Sequence, residues 1–141
     1  TSLFIVLIVL GAFIVAGSAP MPASVMRLLE ATALLSLLGF GYGLTGAVII
    51  TRLQAWQNIS RLIMAPMLFL SGVFYSLDML PPNVRAIVAW NPVIHGVEMF
   101  RDGYYSNYRV GDVDPFYLLV WGLSLTFIAL AMERTVRGRI E

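Results

Sequence analysis

The sequence predicts an all-α integral membrane protein, with four transmembrane helices and a pair of short re-entrant helices. Hydrophobic residues make up 59% of the 141 and charged residues 12%, about half the charged share of a soluble domain. A soluble fold this small exposes more surface than so few polar groups cover. The charges also leave long gaps, at 1–26, 31–51, 62–77, 86–97 and 115–132. This balance excludes an ordinary cytosolic enzyme, a disordered tail and a nucleic-acid binder.

The elements follow in chain order. The first apolar run is interrupted by Pro20 and Pro22, so its helix is expected over about 1–17. The chain opens at Thr1 already inside this run, without a Met or a charged leader region. It does not read as a signal peptide, and further sequence upstream is expected. The second helix is expected over 27–50, long enough for the roughly 20 residues a span needs. The third, over 62–76, is short for the purpose and contains Pro66 and Gly72. Even the whole apolar run 62–77, sixteen residues, rises only about 24 Å, against a hydrocarbon layer of roughly 30 Å.

Helix breaks then follow at Pro81-Pro82 and at Asn91-Pro92. Runs as short as 86–97 suit re-entrant or interfacial segments, not spans. Non-helical backbone at membrane depth is tolerated only beside protein or water. Residues 80–105 therefore read as two re-entrant helices. Asn91 and Pro92 fit the cap and first position of the second one. On it, Val93, Val97, Phe100 and Tyr104 recur on one face, expected to lie on the bundle. His95, Glu98 and Asp102 form a polar stripe on another, with Arg101 beside them, expected to need water or protein beside it. The last helix is expected over 115–132, with Asp114 as cap and Pro115 at its first position.

Orientation follows from arginine. Residues 52–61 and the tail from Glu133 hold five Arg between them, while 98–114 holds four of the acids. Cationic loops stay in the cytoplasm. The C-terminus is therefore expected inside and 77–114 outside, and the Asn58-Ile59-Ser60 sequon is discounted as cytoplasmic.

Chemistry-bearing residues are few. There are no cysteines, which excludes thiolate metal sites, disulfides and thiol nucleophiles. Every basic residue is Arg. A P-loop needs its Lys, so any ATP is hydrolysed on another chain. His95 is the only histidine, and Glu98, near it on the helix, is its expected partner. Gly39, Gly43 and Gly46 line one face of the second span and are expected to pack against another helix. Phe74, Tyr75, Trp90, Tyr104 and Tyr105 belong to an aromatic cluster between residues 69 and 121. They fit either an interfacial belt or a surface that gates a pathway and stacks on sugar rings.

The run Pro66-Met67-Leu68-Phe69, Ser71-Gly72-Val73-Phe74-Tyr75-Ser76, Leu80-Pro81, Asn91-Pro92, His95-Gly96 and Glu98-Met99-Phe100-Arg101 resembles the permease subunits of capsular polysaccharide ABC exporters. These are the KpsM-like group of the type 2 ABC permeases. The Arg-rich end after the last span also fits. The resemblance covers 1–141 as one transmembrane permease domain, the C-terminal half of a six-span protein. It implies a multi-pass protein of the bacterial inner membrane that works as a homodimer with two ATPase subunits. ATP and Mg would be bound by those partners, with no cofactor on this chain. It further implies a lipid-linked polysaccharide as cargo, and a periplasmic copolymerase and an outer-membrane export protein as continuing partners. The re-entrant helices would close the outer end of the channel. Related permeases that export O-antigen or teichoic acid share much of the pattern. A membrane enzyme using His95, Glu98 and Asp102, or a passive channel, are the alternatives from other classes.

Overall fold

The computed structural model describes residues 22–108 and 113–137. The expected first helix at 1–17 lies outside the described residues. Every regular element among them is helical: α1 (Val25–Ile50), α2 (Trp56–Leu70), a 3-10 turn (Leu77–Met79), α3 (Pro82–Val88), α4 (Pro92–Tyr104) and α5 (Pro115–Arg137). Two of them are long and apolar enough to cross a membrane, Val25–Ile50 and Pro115–Thr135.

α1 starts where Ser24, in extended conformation, accepts the Arg27 N–H on its hydroxyl at 3.4 Å. α5 starts as its sequence dictates, with the Asp114 carboxylate accepting the Phe116 N–H at 2.9 Å and Pro115 at the first position, where no N–H is needed. The two helices pack along each other through glycines that neither sequence period singled out. A Cβ at Gly41 would come within 2.9 Å of Leu125 and Thr126, and one at Gly122 within 3.0 Å of Leu37. This close approach brings the Thr45 hydroxyl within reach of the Leu125 carbonyl, 3.3 Å away, a contact typical of membrane helix pairs.

The expected packing face has no helix packed along it among the described residues. Gly39 and Gly43 have nothing within 4 Å of a built Cβ, and Gly46 meets only the Trp56 indole at 3.5 Å. Among the described residues that face is open, because α5 lies about half a turn away, on the opposite, Gly41 side.

α4 lies on the N-terminal half of α1, held by two more close approaches. Gly96 sits against Leu35 and Gly103 against the Leu28 backbone. The Ala23 and Ser24 N–H groups donate to the Tyr104 and Gly103 carbonyls at 3.2 and 2.9 Å, and Arg27 pairs with Asp102. Ala31, Leu38, Met99 and Leu118 form the core where α1, α4 and α5 meet.

The third expected helix, at 62–76, is displaced. It runs from Trp56 to Leu70 and carries no buried residue. It ends early because Gly72 turns left-handed, at φ +75°, which a helix cannot continue through. The polar stretch before it, an Arg-flanked connection whose Trp56 suggests an interfacial helix, supplies the first turns instead. Fifteen residues rise about 22 Å. Pro66 lies inside the helix. The two short helices expected over 80–105 are present as α3 and α4, broken where Pro81-Pro82 and Asn91-Pro92 fall. A second small core of Leu77, Val88 and Ile94, with Tyr75 and Leu80 against it, joins the 3-10 turn to both.

Candidate functional site

The polar stripe of α4 is the centre of the structure's chemistry, and it is turned inward. Ile94, His95, Gly96, Glu98, Met99 and Gly103 are the buried residues of this helix, whereas Phe100 is exposed. Protein covers the stripe at His95 and Glu98, while Arg101 and Asp102 stay partly exposed; of the apolar face, Val93 packs on the core and Phe100 points outward. The reason is local: the return segment 71–77 presents unpaired backbone groups that an apolar helix face would leave unsatisfied.

Glu98 is fully buried, at 0% exposure. Its Oε1 accepts the Leu77 N–H at 3.0 Å and an Arg101 guanidinium N–H at 3.1 Å. Its Oε2 accepts the Tyr108 hydroxyl. Since that hydroxyl donates to Glu98, the neighbouring Ser76 hydroxyl donates to Tyr108. Arg101 spends its other donors on the same segment, reaching the Tyr75 carbonyl at 2.7 Å and the Val73 carbonyl at 3.0 Å. A buried carboxylate is tolerated only when paired and fully hydrogen-bonded, and here both oxygens are used. Burial, and next the Glu98 hydrogen bond, push the Tyr108 phenol above its ordinary range, which keeps it a neutral donor.

His95 does not pair with Glu98. Its Nδ1 accepts the Asp114 N–H at 3.2 Å, which leaves Nε2 protonated to donate to the Ala89 carbonyl at 2.8 Å. The ring also lies 5.0 Å from that of Tyr117. His95 thus ties the α3–α4 corner to the start of α5. Asn91 caps α4, accepting the Val93 N–H at 3.1 Å, and its amide donates to the Leu70 carbonyl at the end of α2, 3.2 Å away. His95, Glu98 and Asp102, the three residues a membrane enzyme would combine, are each engaged with different partners: the backbone of Ala89 and Asp114, the Leu77–Arg101–Tyr108 group, and Arg27.

The aromatic candidates do not form one cluster. Phe74 stacks on Phe69 at 5.6 Å, Tyr75 is part of the small core, and Tyr104 packs edge-on against Tyr105 at 5.1 Å. Trp90 is 80% exposed. It stands at the rim of an open recess lined also by Ala86, Ala89, His95, Asp114 and Tyr117, where the Tyr117 hydroxyl donates to the Trp90 carbonyl at 2.9 Å. Tyr108 and Tyr117 belong to the aromatic cluster read from the sequence and Ser76 to the resemblance motif, but the sequence assigns none of the three a role. The signal for Tyr108 and Ser76 was Glu98 itself, a lone acid in a run that must be buried and so must find donors.

Residues 1–105 match the ABC-2 type transporter family. The chain belongs to that family. Among curated ABC-2 relatives, it is 30% identical over 135 residues to the capsule polysaccharide export inner-membrane protein CtrC of Neisseria meningitidis serogroup B, covering 96% of this chain and 51% of CtrC. It is 31% identical over 120 residues to the capsule polysaccharide export inner-membrane protein BexB of Haemophilus influenzae, covering 85% and 45%. It is 29% identical over 110 residues to the polysialic acid transport protein KpsM of Escherichia coli, covering 78% and 43%. The chain spans about half the length of the curated relatives it matches. The ABC-2 match takes in α1 to α4, so the inward-turned stripe lies within the family's shared region.

Proposed function

We propose that this chain is the membrane-embedded part of an ATP-driven exporter that moves a lipid-linked capsular polysaccharide out of the cytoplasm. The observation that carries the proposal is the similarity to CtrC over 96% of the chain. The broken α2–α4 segment and the ABC-2 family match support a transport subunit, and in this reading its ATPase, with its ATP and Mg, is a partner. In this reading the membrane is the bacterial inner membrane and four helices cross it: the first apolar run, α1, α2 and α5. The arginines at 52–61 and beyond Glu133 lie in the cytoplasm, and α3 and α4 re-enter from the outside. Two copies, each bound to an ATPase subunit, enclose the path, and a periplasmic copolymerase and an outer-membrane protein continue it. The short helices of both copies close its outer end, with Trp90 and its recess beside the passing sugars. Flat aromatic faces suit the apolar C–H faces of pyranose rings, and the neighbouring Asp114 accepts hydroxyls.

The test is the location of polymer in cells lacking the gene. The expected result is polysaccharide still synthesised but held inside, with surface polymer restored by the gene in trans. Normal surface polymer in the deletion strain overturns the proposal.

A further inference from the structure

The Glu98 network crosses three stretches of chain that share no helix. It joins the return segment at Val73, Tyr75, Ser76 and Leu77, α4 at Glu98 and Arg101, and the outgoing strand at Tyr108. The Leu77–Val88–Ile94 core fastens α3 to the same unit. The backbone bonds to Tyr104 and Gly103 fasten α4 to the start of α1. On the other side of Gly72 the situation reverses. Among the described residues, α2 buries none of its own, and what reaches across to its end is one side-chain hydrogen bond, from Asn91 to the Leu70 carbonyl, and the Phe69–Phe74 ring contact. Gly72 itself is in the left-handed region with Ile94 2.7 Å from a built Cβ, so the chain turns there through a residue that only glycine suits.

We infer that Glu98, Arg101, Tyr108 and Ser76 are positioning residues that weld the return segment and both short helices into one rigid body, with bending confined to Ser71–Gly72 beside α2. An outer closure built this way swings as a unit against α2 and does not unravel strand by strand. Local opening free energies follow the density of buried contacts and hydrogen bonds, which is high on one side of Gly72 and low on the other. The inference rests on the exporter reading for what the swing does, but the weld exists or fails without it.

The absence of cysteine makes spin-label pairs simple to place. Val84 and Asn107 lie within the proposed body, and Met64 lies across the bend on α2. All three are exposed. Double electron–electron resonance is measured on the full chain in lipid nanodiscs, with Val84→Cys/Asn107→Cys and Met64→Cys/Asn107→Cys as the two pairs. The within-body distance distribution is expected to be at most half as wide as the across-bend one. Tyr108→Phe and Arg101→Gln are each expected to at least double the within-body width while leaving the helical content unchanged; the across-bend width, which shares the Asn107 label, broadens by a smaller factor. Ser76→Ala, a smaller change, serves in place of either variant that does not fold. Equal widths for the two wild-type pairs overturn the weld. So does an unchanged within-body width in the variants, or a broadening of both pairs alike, which is what a merely structural contribution produces. Because no transport is measured, a narrow within-body distance in a protein that exports nothing refutes the exporter reading and leaves the weld standing.

Discussion

Replacing Gly72 by Ala sets two opposed effects against each other, and the structure decides the sign. A Cβ at a left-handed residue costs about 1–2 kcal/mol. The new methyl also meets the Ile94 side chain at 2.7 Å, and overpacking of this kind costs about 1–3 kcal/mol. Against this, losing glycine's freedom in the unfolded chain returns about 0.5–1 kcal/mol. The net loss is about 1–4.5 kcal/mol. Gly39→Ala is the matched control. Its φ is helical and its surroundings are empty within 4 Å, so only the helix propensity gain of up to about 1 kcal/mol remains. A reversible detergent-unfolding titration of the two variants and the wild type reads both numbers on one scale. Equal shifts for the two variants, or a Gly72→Ala shift within about 0.5 kcal/mol of wild type, would refute the reasoning from conformation and contact.

Three further outcomes are expected. Glu98→Ala leaves Arg101 beside an emptied site and removes an acceptor from Leu77 and Tyr108, so the same titration is expected to show a loss of about 3–5 kcal/mol, with Glu98→Gln losing less. Cysteines placed singly at Asn107 and Arg139 are expected to give labelling of Asn107→Cys, and not of Arg139→Cys, by a membrane-impermeant thiol reagent in intact cells. The reverse pattern contradicts the orientation read from the arginines. The double variant Tyr75→Ala/Trp90→Ala is expected to assemble and bind its ATPase but to reduce surface polymer or leak small solutes, and normal, leak-free export by it counts against the closure.

What was legible in the sequence was whatever depends on neighbours in the chain. Asn91-Pro92 and Asp114-Pro115 state a cap and a first helical position within two residues, and both helices start there. Charge gaps located α1 and α5, because a long apolar stretch has few alternatives to a helix. The errors arose where the outcome depends on a distant partner. The spacing of Gly39, Gly43 and Gly46 is a true stripe, yet Gly41 makes the contact, since which face is used is set by where α5 lies. The α4 stripe is legible in the spacing, but which of its members protein covers is not. Nothing within α4 records that segment 71–77, some twenty residues earlier, brings bare backbone groups for Glu98 and Arg101 to satisfy. The end of α2 was misplaced by one residue's conformation: Gly72 reads as tolerable inside an apolar run, and only its left-handed turn shows that the helix has stopped.

The claim that the short helices border the polymer's path is tested most directly by a photoreactive benzophenone amino acid placed at position 90, the exposed rim of the recess. In cells making polymer, irradiation is expected to yield a permease–polysaccharide adduct that disappears when the partner ATPase is inactivated. Adducts with lipid alone, or a polysaccharide adduct indifferent to the ATPase, would contradict it.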